Sequence, residues 1–211
     1  MQKMLKKSLI FIAAVLSTGL FFSCTKPGDS SVEKAVTFYG AGKYEQALEL
    51  FNEALEKETR YSDELIFGFI SNTYAAQEDF ENAALWLEKS LEKKPDYRNY
   101  VTLGMDYQTL KNYPKAEENY LKAVEMDETK GEAWASLGMM YLEEGVQLQK
   151  AIESLKKGAE RAPKIAVIHA YLGAAYFKNG EEAEAEREFA LAEELNCQNL
   201  DQIKEKFGIF S

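Results

Sequence analysis

The side chains able to carry chemistry are few. Among 211 residues there is one histidine, His169, and two cysteines, Cys24 and Cys197. A hydrolytic triad would have to run through His169, and three such residues cannot complete a four-ligand Cys/His zinc site. Carboxylates are plentiful, with adjacent pairs at Glu143-Glu144 and Glu181-Glu182. General acid-base work needs two of them facing across a cleft, whereas these sit at helix starts, turns or outward faces, where acids are favourable for dipole reasons alone. Gly104, Gly138 and Gly173 stand isolated, so no glycine-rich loop cradles a phosphate. The expectation is a protein with no catalytic residue, no metal and no cofactor.

The elements that carry these residues recur. Ala47, Ala83, Ala116, Ala151 and Ala185 follow one another at spacings of 36, 33, 35 and 34 residues. Four residues after each stands a large side chain, namely Phe51, Leu87, Tyr120, Leu155 and Phe189; three further on comes a small one, Ala54, Ser90, Ala123, Gly158 and Ala192. Nine or ten residues before each alanine is an aromatic, Phe38, Tyr74, Tyr107, Tyr141 or Tyr176. Three before that is another small residue, Ala35, Ser71, Gly104, Gly138 or Gly173. A period near 34 with helical spacing inside it means stacked supersecondary units, each unable to bury its apolar faces alone. Small residues let two helices approach, and the large ones fill the space between.

These columns resemble the tetratricopeptide repeat family. The fourth copy shows this best, with Trp134, Leu137-Gly138, Tyr141, Ala151, Leu155 and Pro163. The resemblance implies an all-α fold, a right-handed α-α superhelix of about five helix-turn-helix repeats at residues 28–61, 64–96, 97–130, 131–165 and 166–198. Together they give a repeat domain over 32–196. Two extra residues near Tyr61 to Asp63 and one near Gly145 fall in connections. Asn199, with Gln202 three residues on, opens a last helix within 199–211, whose Leu200, Ile203 and Phe207 share one face as a solenoid cap requires. In the repeat register His169 takes the place of Phe67, Tyr100 and Trp134, so it reads as a packed aromatic substitute. Cys197 reads as an inert small apolar residue. Trp86 either packs between helices or lies exposed.

The chain begins differently. Lys3, Lys6 and Lys7 precede an uncharged apolar run from Leu9 to Phe22 that is too short to span a bilayer. The run ends in Ser23-Cys24 and resembles a bacterial lipoprotein signal, although Phe21 and Phe22 are bulkier than the usual residues there. The resemblance implies a signal peptide over 1–23, a lipidated Cys24 and a Pro- and Gly-containing tether over 24–31. Without residues 1–23 the chain keeps 22 basic and 35 acidic side chains, a net charge of −13. So acidic a product lacks the basic stripe that nucleic acid requires.

In the family, the first helix of each pair lines the inner face. Transferring its ligand-facing positions gives Val36 and Tyr39 in copy one, Leu65 and Asn72 in copy two, Arg98, Val101, Met105 and Gln108 in copy three, Met139 and Leu142 in copy four and Phe177 in copy five. The family's carboxylate clamp uses Lys with Asn, and only Asn72 is in place, so a chaperone-tail clamp is not expected. A groove of aliphatics, methionines and aromatics suits an apolar polypeptide segment; the competing reading is that curvature buries several of these residues. The expectation is a non-enzymatic adaptor, lipid-tethered at a bacterial envelope membrane and holding another envelope protein. The alternative is a solute-binding accessory of an envelope transporter with a small hydrophobic ligand in the groove. Self-association is open.

Overall fold

The computed structural model describes residues 25–209, which lie in two compact units divided after Lys94. Cys24, the expected signal peptide and the last two residues of the chain lie outside the described residues. Every regular element among the described residues is an α-helix.

The first unit holds two helical hairpins, α1 (Asp29–Gly40) with α2 (Tyr44–Leu55), and α3 (Asp63–Ala76) with α4 (Phe80–Lys93). Val32, Ala35, Ala47, Phe51, Ala54, Ile66 and Ile70 form one buried cluster across the first three helices. Trp86 is half-buried against it, tilted on Phe67 at 5.4 Å with the Lys89 ammonium 3.8 Å above its ring.

The segment expected as a tether is partly folded. Helix α1 starts at Asp29, whose side chain is buried and takes bonds from Thr59 Oγ1 (2.8 Å), the Arg60 amide (2.8 Å) and the Lys26 amide (3.0 Å). The Gly28 amide donates to the Glu58 carbonyl at 3.0 Å. A Cβ on Gly28 would lie 2.9 Å from Thr59 Cβ, so only glycine passes this close. The partners lie in the long connection between α2 and α3, where the extra residues of the first copy fall. The residues just before that insertion, Glu58 to Arg60, are the seat for the N-terminal segment. Burial alone would raise the Asp29 pKa; the three donated bonds and the Arg60 charge outweigh it, leaving the pKa below the ordinary carboxylate value.

The second unit holds three hairpins and a short terminal helix: α5 (Tyr97–Thr109) with α6 (Tyr113–Met126), α7 (Gly131–Glu144) with α8 (Leu148–Arg161), α9 (Ala166–Lys178) with α10 (Glu182–Glu194), and α11 (Leu200–Lys206). Within each hairpin a glycine of the first helix meets the large residue of the second. An added Cβ would stand 2.5 Å from the Tyr120 ring at Gly104, 2.6 Å from Leu155 Cγ at Gly138 and 2.7 Å from the Phe189 ring at Gly173. Side-chain caps open α5 and α6, where Asp96 accepts from the Asn99 amide (3.0 Å) and Asn112 from the Lys115 amide (3.4 Å), with Pro114 in the first turn of α6.

Helix α11 packs on α9 and α10 through Leu200, Ile203 and Phe207, and Phe207 meets Tyr171 edge-on at 5.9 Å. The expected capping box at Asn199 does not form. Asn199 makes no side-chain cap, and its Oδ1 instead faces Cys197 Sγ at 3.4 Å. Cys197 is a free, half-buried thiol whose pKa burial raises. The turn inside each of the five hairpins carries one left-handed residue at the same register: Gly42, Glu78, Lys111, Gly145 and Gly180.

Candidate partner-binding face

In the second unit the first helices of successive hairpins, α5, α7 and α9, lie side by side, and side chains one and two turns apart fall along the same edge of each. Met105, Gln108 and Thr109 from α5, Ser136, Met139 and Glu143 from α7, and Tyr171 from α9 surround a groove of about 330 Å³ whose remaining wall is Tyr120 of α6. The structure thus brings together Met105, Gln108 and Met139 of the residues expected from sequence. Arg98 and Phe177 are exposed and Val101 half-buried, outside the groove lining.

Leu142 is a correction. It is 5% exposed and belongs to the core. Four residues bring an α-helix back to within about 40° of its starting direction, whereas three fall about 60° short, so the face that begins at Ser136 and Met139 continues through Glu143.

Tyr120 reaches the groove from the second helix because Gly104 has no side chain to stop its ring. Its hydroxyl donates to Gln108 Oε1 at 2.8 Å, and Gln108 Nε2 donates to Glu143 Oε2 at 2.7 Å. Glu143 Oε1 accepts from the Lys206 ammonium of α11, which also lies 5.9 Å from the centre of the Tyr171 ring. Four side chains from four helices therefore form a continuous polar chain along an otherwise apolar wall. Burial, then the nearby Glu143 and Asp106 carboxylates, raise the Tyr120 pKa, so the hydroxyl stays a donor. For Lys206 burial works downward, and the bond to Glu143 with help from Tyr171 outweighs it, so the ammonium keeps its proton more firmly than usual.

Behind this face lies Asp106, which sequence reasoning did not single out. It is 5% exposed, its Oδ2 has no hydrogen-bond partner among the described residues, and burial pushes its pKa up to about 7. The signal was available. Asp106 occupies the register of Thr37, Thr73, Met140 and Ala175, of which the last three are fully buried and Thr37 is exposed.

The first unit presents a different surface. Val36, Tyr39 and Asn72 meet Phe51 and Phe69 around a gap that admits no water molecule, and Phe51 stacks on Phe69 with centroids 5.4 Å apart. Leu65 is exposed, outside this cluster. His169 is buried in the second unit, with Nδ1 2.7 Å from Glu188 Oε2 and Nε2 3.0 Å from the Pro163 carbonyl. Both ring nitrogens are engaged in tying α9 to α10 and to the connection before it. No group of three or more His, Cys, Asp or Glu among the described residues is placed to hold a metal ion, and no described helix is long and apolar enough to cross a membrane.

Family models of the tetratricopeptide repeat match residues 32–98 and 97–130. The chain is a tetratricopeptide repeat protein. Among solved structures, this repeat protein is similar to MamA from Desulfovibrio magneticus RS-1, with a TM-score of 0.70 at 20% identity over 80% of this chain and 94% of the other. A second MamA crystal structure gives a TM-score of 0.68 at 20% identity, covering 79% and 96%. These likenesses concern the fold. Curated relatives include human protein O-mannosyl-transferase TMTC2, 31% identical over 44% of this chain, and the bovine BBSome complex member BBS4, 30% identical over 60%. The matches span only 12% and 24% of those two proteins.

Proposed function

We propose that this repeat protein is a non-enzymatic adaptor that holds a polypeptide segment against the groove of α5, α7 and α9, and that it works from a bacterial envelope membrane to which a lipid on Cys24 tethers it. The groove carries the reading: two methionines, a tyrosine and a hydrogen-bonded polar chain line an indentation on a rigid helical scaffold. Methionine side chains adapt to irregular apolar partners, and the pre-oriented polar groups supply direction. Export and anchoring rest on the lysine-preceded apolar run ending in Ser23-Cys24.

The test is cross-linking in the native envelope with full-length wild type and with a Met105→Glu, Met139→Glu double variant of unchanged helicity. The expected result is a captured polypeptide that disappears in the variant. Equal capture by both overturns the groove. Recovery of a bound small hydrophobic molecule in place of a polypeptide favours a solute-binding accessory. Cys24→Ser is expected to move the protein out of the membrane fraction, and retention there overturns the lipid anchor.

A further inference from the structure

We propose that the segment received by this groove carries a lysine or arginine flanked by apolar side chains, and that its cation displaces Lys206 from Glu143. The proposal rests on the groove reading above and adds the chemistry that the groove selects and the internal group that guards it.

Glu143 lines the groove, and its two oxygens have unlike partners. Oε2 is held by Gln108 Nε2 at 2.7 Å, and Gln108 is held in turn by the Tyr120 hydroxyl at 2.8 Å. This side of the carboxylate is fixed from within the repeats. Oε1 faces a cation, Lys206, that comes from 63 residues further along the chain, on a terminal helix of seven residues. The Lys206 ammonium also lies over Tyr171 (5.9 Å) and Phe207 (5.5 Å). An anchored carboxylate beside an aromatic face is a receptor for an ammonium or guanidinium group, and Met105 and Met139 offer apolar contacts alongside it.

Lys206 is an occupant that another cation can reach and replace. Its side chain is 48% exposed and that of Glu143 24% exposed, and ion pairs this open to water are readily exchanged. Phe207 and Ile203, not the ammonium, bury the apolar side of α11, so the lysine can swing aside while its helix stays docked. Residues 95–211 carry 14 basic and 21 acidic side chains, a surplus that draws a cationic segment and repels an acidic one.

The experiment uses the full-length chain and three nonapeptides of sequence Ser-Leu-Ala-Leu-X-Leu-Ala-Leu-Ser, where X is lysine, glutamine or glutamate, each bearing a terminal benzophenone. The readout is photo-capture mapped to Met105 or Met139, which separates groove binding from general stickiness. Capture is expected in the order lysine, glutamine, glutamate. Lys206→Ala should raise capture of the lysine peptide several-fold, whereas Glu143→Gln should lower it about tenfold and abolish its advantage over the glutamine peptide. A merely structural role for the pair would move both variants in the same direction. Equal capture of all three peptides, or a loss of capture in Lys206→Ala, overturns the cation proposal and leaves the groove standing. No capture at either methionine in any variant overturns both.

Discussion

The first two repeats and the last three are built on one register, yet the faces of their leading helices differ. At the position two residues before the small-residue column, the second repeat has Phe69 and the fourth has Ser136; one residue after that column they have Asn72 and Met139. Phe69 stacks on Phe51 and leaves no room for water, whereas Ser136 leaves space that becomes part of the groove. The buried aspartates differ in the same sense. Asp29 of the first unit is supplied with three donors, and Asp106 of the second keeps an oxygen without one. A repeat scaffold therefore fixes where side chains stand, and single residues decide whether a face is filled and satisfied or left open.

The sharpest test of that contrast is pH. Asp106 has a raised folded pKa, so the folded second unit binds a proton more readily than the unfolded chain, and its stability falls as pH rises from about 4 to about 7. The loss reaches up to roughly 4 kcal/mol. Asp29 has a lowered folded pKa, so its contribution is present above the unfolded carboxylate value near 3.8 and is lost as pH falls below it. The two tryptophans fall one in each unit, Trp86 and Trp134. Urea unfolding followed in single-tryptophan variants should show the second unit weakening toward neutral pH and the first toward acid. Asp106→Asn should flatten the first of these profiles; a profile it leaves unchanged would remove Asp106 as the cause.

A somewhat smaller effect comes from exchanging residues at the close-packing column. Ser71 is accommodated in the second repeat, but a Cβ at Gly138 would stand 2.8 Å from the Leu155 amide nitrogen and 2.9 Å from the Ala151 carbonyl oxygen. Backbone cannot step aside, so Gly138→Ser should cost about 3 kcal/mol in the Trp134-reported transition. A loss under about 1 kcal/mol would show that the hairpin can open there.

Exchanging the face residues themselves should convert one surface toward the other. Phe69→Ser removes a stacked ring and should destabilise the first unit by about 2 kcal/mol. Ser136→Phe should fill the groove at little cost to folding and abolish photo-capture at Met105 and Met139. Capture that survives it would mean the partner lies elsewhere.

The smallest effect concerns the hairpin turns. Three of the five left-handed positions are glycine, and Glu78 and Lys111 hold φ values of 61° and 57°. Glu78→Gly in the first unit and Lys111→Gly in the second should each raise stability by about 0.5–1 kcal/mol in its own unit. Differential scanning calorimetry of the two variants would register the gain, and a loss would mean that the side chains make up for the strain.

Much of the fold was legible because each column has one physical job. The alternation of small and large residues located every hairpin, and glycines or Asn-Pro spacing marked most turns. The left-handed Glu78 and Lys111 were not legible, since neither residue type advertises that conformation. Reading Thr25 to Ser31 as a tether went astray because Asp29 looks like any exposed loop acid. Its partners, Thr59 and Arg60, lie in an irregular connection beside the insertion that breaks the period. On the candidate face, the methionines could be read from position alone. Leu142 could not, because family positions are counted in whole residues while the helix turns by 3.6. Tyr120 was visible as the only hydroxyl-bearing member of its column, although reaching the groove also required the absent side chain of Gly104.

The seat of Asp29 also sets an order of events. The groups that bind it, Thr59 and the Arg60 amide, follow it by 30 and 31 residues, and chains emerge and fold from the N-terminus. Until the connection after the first hairpin has emerged, the Thr59 and Arg60 groups that seat Asp29 are absent. For that interval the stretch from Lys26 to Ser31 lacks the partners that hold it in the finished fold. Completion of the first repeat then docks it against the connection between α2 and α3.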